Sequence, residues 1–187
     1  MKLAKVLVTF GAIVSLVACG KGDSSVSQEK FTAEAEKAAQ QSCDYNWATL
    51  TYKEVMTMSG TELVNEELTA EFYLSSNGEW VPVTTGLPED MPEVVGISAY
   101  VVVSTMGELP EGYTVKYYVN PLKIVTKVSQ TQTSQGQTIT IKGSKSMEFE
   151  SHGLLTTYVT DLSMSSGQAS MSEYLSMSVA YSVQAVA

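Results

Sequence analysis

Apolar residues recur at every second position over most of the chain after residue 45, and this spacing limits the fold more than any other feature of the sequence. The C-terminal segment shows it most regularly, because serine, tyrosine and alanine separate the apolar residues Met171, Leu175, Met177, Val179, Tyr181 and Val183. A helix would mix the two sets on every face, whereas a β-strand sends them to opposite faces of a sheet. The alternation therefore predicts a mainly β domain whose strands have one apolar and one polar face.

Short turn sequences between the alternating segments indicate that neighbouring strands are joined as hairpins. Asn77-Gly78 accepts the positive φ angles of a tight turn, and the glycine-containing tripeptides 134–136 and 165–167 separate two further pairs of segments. Pro82 cannot donate a ladder hydrogen bond, which predicts that its strand lies at a sheet edge. We expect an antiparallel, hairpin-connected sheet of about eight to ten strands, arranged as a half-barrel or a β-sandwich.

Two segments depart from the alternation. Phe31, Ala35, Ala38 and Ala39 share one face at helical spacing, so we expect one N-terminal helix, from Gln28 to Ser42. Val94 to Met106 is apolar at both odd and even positions, which is typical of a central strand that is covered on both faces. The sequence thus predicts an α+β chain with one helix before the sheet.

The first twenty residues have the layout of a bacterial export signal. Lys2 and Lys5 precede an apolar run over 6–14, which is too short to span a bilayer of about 30 Å. Leu16-Val17-Ala18-Cys19 then resembles the lipobox of bacterial lipoproteins. The resemblance implies diacylglycerol on the Cys19 sulfur, cleavage before Cys19, and a further acyl chain such as palmitate on the new amino group.

The lipobox resemblance divides the chain into three parts. Residues 1–18 are the expected signal peptide, 19–26 an acylated polar tether, and 27–187 a single mostly β domain. Two or three acyl chains hold a protein on a membrane, since each buried methylene contributes about 0.8 kcal/mol. We therefore expect a lipid-anchored protein on the extracytoplasmic face of the cell membrane, or on the outer membrane if the bacterium has two.

The charge of the exported part argues against several partners. The whole chain has a net charge of −9, so removal of Lys2 and Lys5 leaves about −11. Such a surface repels phosphate backbones and anionic headgroups, and we expect neither a nucleic-acid partner nor adhesion to membranes through a basic patch. The acyl chains on Cys19 are then the expected membrane contact.

Residues that could carry catalysis or bind a metal are few. His152 is the only histidine, and Cys43 is the only cysteine left after acylation of Cys19, so neither a multi-histidine nor a paired-cysteine zinc site can form. No glycine-rich phosphate loop or complete nucleophile motif occurs. We expect no enzyme activity, no cofactor and no metal. A lone thiol outside the cytoplasm is either buried or paired with another molecule, and we expect Cys43 to be buried, as free cysteines often are.

Methionine and tyrosine recur on the apolar faces of the predicted strands. Methionine adapts to varied apolar partners, so these residues predict either a surface that takes up an acyl chain or an ordinary core. The candidate ligand-lining residues are Tyr52, Met56, Met58, Tyr158, Met164, Met171 and Met177.

The order of elements, the length and the lipidated start are similar to those of the LolA-type and LppX-type half-barrels, which carry lipids or lipoproteins under an open sheet. This resemblance implies a module that binds a lipid or another apolar small molecule. The alternative is a structural or protein-interaction lipoprotein of the envelope, with a packed core and no ligand.

Overall fold

The computed structural model describes residues 24–87, 94–134 and 136–185, and within them it shows one eight-stranded antiparallel sheet and two helices. The predicted signal peptide and Cys19 lie outside the described residues. The strands are β1 (Trp47–Met58), β2 (Thr61–Leu74), β3 (Trp80–Pro82), β4 (Tyr113–Val119), β5 (Leu122–Ser134), β6 (Gln137–Phe149), β7 (Leu155–Ser166) and β8 (Ala169–Ser182). The helices are α1 (Gln28–Ala39) and α2 (Ala99–Thr105).

The sheet is open, and its strand order is β3-β2-β1-β8-β7-β6-β5-β4. Two meanders, β1–β3 and β4–β8, meet where β1 pairs with β8. The predicted mainly β class and the hairpins at Asn77-Gly78, 134–136 and 165–167 are confirmed. The β-sandwich alternative is wrong for the described residues, because all eight strands belong to a single sheet.

Helix α1 begins and ends at recognisable signals. The Ser27 hydroxyl accepts a hydrogen bond from the Lys30 amide at 3.3 Å, which caps one of the unpaired donors of the first turn. Phe31, Ala35 and Ala38 form the buried stripe, as their spacing predicts, whereas Ala39, also expected on it, is the last residue of the helix and is exposed. The helix ends at Ala39, three residues before the expected end.

The segment from Val94 to Met106 is not the central strand that its composition predicts. It forms a short turn followed by helix α2, so the expectation of a single helix is also wrong. Ala99 and Val103, one helical turn apart, are buried, whereas Val101 is 55% exposed. The β-branched valines have modest helix propensity, and packing of Ala99 and Val103 against the core overrides it.

Both helices lie on one face of the sheet, which we call the helix-side face; the other is the opposite face. The first core cluster joins α1 and α2 to the side chains of β4–β7, and the second joins the segment near Val95 to β1, β2 and β8. The largest fully buried residues are Phe31, Leu50, Phe72, Phe149 and Leu155. Serine and threonine dominate the opposite face, where β8 places Ser172, Ser176, Ser178 and Ser182.

The two sheet edges are formed by β3 and β4. Pro82 lies in β3, which confirms its predicted edge position. At the other edge, the Val26 amide donates a hydrogen bond of 2.8 Å to the Tyr117 carbonyl, so the chain before α1 pairs with β4. Among the described residues, neither helix is long and apolar enough to cross a membrane.

Candidate functional site

The structure brings all seven candidate ligand-lining residues to the helix-side face. Residues that face each other across paired strands point to the same side of a sheet, so the strand register settles their placement. One row across β1, β8 and β7 consists of Tyr52, Met177 and Tyr158. A second row consists of Met58, Met171 and Met164, and Met56 lies between the rows.

The two rows have different surroundings. Tyr52 is buried in the second core cluster, Met177 packs against that cluster, and Tyr158 packs against the first. The row of Met58, Met171 and Met164 belongs to neither cluster, and Met58 and Met164 are 49% and 38% exposed. The first row therefore contributes to the core, whereas the second extends the apolar face beyond the helices.

We call this second region the open half of the helix-side face. It comprises Met56, Met58, Ile141, Leu162, Met164 and Met171. A shallow depression of about 100 Å³ lies within it, between β6, β7 and β8, and Glu173 is at its border. Gly143 is the register partner of Leu162, and a Cβ atom on it would come within 2.7 Å of the Leu162 side chain, so Leu162 packs over this position of β6. The open half can contact an apolar chain, but it presents no nucleophile.

Three glutamates adjoin the open half on the side of β1, β2 and β8: Glu54, Glu66 and Glu173. Glu54 is buried, and its carboxylate accepts a hydrogen bond of 2.5 Å from the Tyr52 hydroxyl. Burial and this hydrogen bond raise the pKa of Tyr52 well above its usual range. Burial, together with the charge of Glu54, also raises the pKa of Glu173. The apolar patch is thus bordered by negative charge.

A lysine and a threonine adjoin the open half on the side of β6 and β7. Lys145 is the register partner of Thr160, and its ammonium lies 5.4 Å from the centroid of the Tyr158 ring. The Thr160 hydroxyl is buried and has no hydrogen-bond partner among the described residues. Lys145 is also the only lysine on the helix-side face of the described strands.

Sequence reasoning missed these charged residues, although a signal was present. Glu54 lies between Tyr52 and Met56 in the apolar phase of β1, and Glu173 lies between Met171 and Leu175 in the apolar phase of β8. Burial of an unpaired charge is costly, so a charged residue in an apolar phase indicates either the border of the core, as at Glu173, or a buried polar partner, as the Tyr52 hydroxyl is for Glu54. Both residues occur where the open half begins.

A cluster of polar and aromatic residues around Glu150 and His152 lies at the other end of the sheet. The Glu150 carboxylate accepts hydrogen bonds from the His152 ring at 2.7 Å, the His152 amide at 2.8 Å and the Leu154 amide at 3.1 Å. Burial alone would raise the pKa of Glu150, but these donors outweigh it and lower the pKa. The Ser151 hydroxyl and Glu150 approach the same His152 nitrogen, whereas a catalytic triad needs them on different ones.

Tyr181 ties this cluster to the segment before α2. Its hydroxyl accepts a hydrogen bond from the Gly96 amide and donates one to the Leu155 carbonyl, both at 3.0 Å. Burial raises the pKa of Tyr181 to about 12, and the Gly96 bond opposes the shift. A Cβ atom on Gly96 would come within 2.4 Å of the Trp80 ring, so only glycine fits there. These contacts explain the packing at this end without a ligand.

Two further features concern the other sequence expectations. Cys43 is exposed, so the prediction of a buried thiol is wrong; it lies after the end of α1, in the connection to β1, where the chain faces solvent. Within the described ranges, no group of three or more metal-ligating side chains occurs.

A cleft of about 350 Å³ between α1 and the β4–β5 turn has a mixed polar and apolar lining that includes Lys37, Pro121 and Glu150.

Comparison with known proteins adds no family assignment. The chain matches no protein-family model, and no curated protein shows significant similarity to it.

Proposed function

We propose that this protein is a membrane-anchored lipoprotein of the bacterial envelope that binds a lipid or another apolar molecule on the open half. The observation that carries the proposal is the row of Met58, Met171 and Met164, which continues the apolar face past both core clusters. Flexible, polarizable methionines suit a surface that meets varied apolar chains. The Cys19 acyl chains would hold the domain that carries this surface close to the membrane.

The open sheet supports a half-barrel in which the ligand lies along the strands. Helices α1 and α2 cover one end of the helix-side face, and the methionine row lies toward the other end. An extended acyl chain needs only a strip of apolar side chains, and the six residues of the open half provide one. The polar opposite face offers no comparable strip, since its β7 and β8 positions are mostly serine and threonine.

One observation favours the second candidate, an envelope protein that binds another protein and no lipid. The depression in the open half measures about 100 Å³, whereas sites for small ligands usually enclose about 300–1,000 Å³. A protein partner could cover the exposed methionines without any cavity, because apolar patches also mark protein interfaces. The experiment must therefore detect the ligand itself.

Native mass spectrometry of matched variants tests the proposal. Met164 and Met171 are register partners on the helix-side face, and Ser165 and Ser170 are register partners directly beside them on the opposite face. The test variant is Met164→Gln with Met171→Gln, which keeps side-chain length but adds two amides. The control is Ser165→Gln with Ser170→Gln, which makes the same substitution on the polar face.

We expect wild-type protein purified from bacterial membranes to carry a co-purifying lipid in addition to the acyl groups on Cys19. The control variant should retain this lipid, and the methionine variant should lose most of it. Equal lipid content in both variants, or none in the wild-type protein, would contradict ligand binding on the open half. Co-purification of a stoichiometric protein partner with the wild type and control alone would support the second candidate.

A further inference from the structure

Charged side chains are unevenly distributed over the opposite face of the sheet. On β4, β5 and β6 this face has four lysines, Lys116, Lys123, Lys127 and Lys142, and Glu148 is its only carboxylate among the described residues. On β1, β2 and β7 the same face has Lys53 with Glu62, Glu67, Glu71 and Asp161. The net charge of −9 for the whole chain conceals this division.

The four lysines form a compact group, which we call the lysine strip. Lys116 is the register partner of Val125, midway between Lys123 and Lys127, and Lys142 is the partner of Ser129. With strands about 4.8 Å apart and residues about 3.4 Å apart, the strip is about 20 Å long. Lys127 and Lys142 are exposed, whereas Lys123 forms an ion pair of 3.5 Å with Glu148.

The chain leading to the proposed anchor joins the sheet at the same edge. Val26 pairs with Tyr117 of β4, the strand that carries Lys116. Seven residues lead from Cys19 to Val26, and at about 3.6 Å per residue they reach at most about 25 Å. An acylated Cys19 would therefore keep the β4 edge within this distance of the membrane surface.

We infer that the lysine strip is a docking surface for anionic phospholipid headgroups, and that it orients the anchored domain with its β4–β6 side on the membrane. The inference rests on the proposed acylation of Cys19. The net charge alone predicts no adhesion to membranes through a basic patch, and in free solution a few lysines would hold such a domain only weakly. Once the domain is anchored close to the surface, each lysine contributes a factor of about fivefold to its equilibrium binding to an anionic membrane. The acidic strands β1 and β2 would then face away.

Protection of individual lysines from acetylation tests the orientation without any substitution. The full acylated chain is reconstituted into two kinds of vesicle, one of phosphatidylcholine alone and one that also contains about 30% phosphatidylglycerol. The acetylation rate of each lysine is then measured by mass spectrometry. Lys53 is the matched control, because it is exposed on the same face of the sheet but lies on β1.

We expect Lys127 and Lys142 to react about fivefold more slowly on anionic than on zwitterionic vesicles, with little change at Lys53. The protection should disappear at about 1 M salt, where the screening length falls to about 3 Å. Equal rates at all three lysines would overturn the inference and leave the acyl anchor intact. Equal protection on both vesicles would also overturn it, since the protection would then not depend on anionic headgroups. A chain that fails to float with the vesicles would overturn the anchor and the inference together.

Discussion

Substitution of Thr160 by valine is expected to stabilise the protein. The Thr160 side chain is 7% exposed, and its hydroxyl has no hydrogen-bond partner among the described residues. An unsatisfied buried hydroxyl costs about 1–3 kcal/mol, and valine replaces it by a methyl group of nearly the same shape. We expect the free energy of unfolding to rise by about 1–2 kcal/mol, and the melting temperature by about 2–4 °C for each kcal/mol.

The neighbouring substitution Thr156→Val is the matched control. The Thr156 hydroxyl donates a hydrogen bond of 3.1 Å to the Glu148 carbonyl, so its loss should destabilise the protein, by about 0.5–1.5 kcal/mol. Urea unfolding monitored by tryptophan fluorescence gives both values from the transition midpoints, provided that the slope is unchanged. If Thr160→Val is as destabilising as Thr156→Val, the Thr160 hydroxyl has a partner and the reasoning fails.

Three further predictions concern the core, the glutamates and the anchor. Phe72→Ala should destabilise the fold by about 3–5 kcal/mol in urea titrations, because Phe72 is fully buried, whereas Tyr73→Ala on the opposite face should cost far less. Since the pKa of Glu173 is raised in the folded state, its ionisation removes stability as the pH rises above about 4.5. Glu173→Gln should therefore match the wild type at pH 4 and exceed it at pH 7 in thermal unfolding; the opposite order would refute the assignment. Cys19→Ser should move the protein from the membrane pellet to the aqueous fraction, and Cys43→Ser should leave it in the pellet.

The period of two made the eight described strands of this fold predictable, together with the face on which each of their methionines lies. Tyr52, Met164 and Met177 needed only alternation and hairpin turns to be placed on the apolar side. The pairing of β1 with β8 could not be predicted in the same way, because alternation is local and does not specify which distant strands are neighbours. Without that pairing, the row from Met58 through Met171 to Met164 could not be recognised.

The segment around α2 shows where composition misleads. A run of apolar residues is typical of a doubly covered strand, but it equally suits a short helix with one buried side. The spacing of Ala99 and Val103 by four residues is the signal that favours the helix, and the exposed Val101 accounts for the remaining apolar character. The predicted burial of Cys43 was wrong for a related reason, because the average burial of a residue type says little about one position just after the end of a helix.

The central position of β1 between β2 and β8 has a consequence for biogenesis. Trp47 pairs with Ser182, so the middle of the sheet joins the first and last strands of the chain. Until the C-terminal strand has been synthesised, the hairpin of β1 and β2 has an unsatisfied edge that invites pairing with other chains. Such distant pairing also slows folding, because a long loop must close first. Loss of only the last dozen residues would thus remove about half of this central pairing, and the growing chain would depend on protection of the β1 edge until its synthesis was complete.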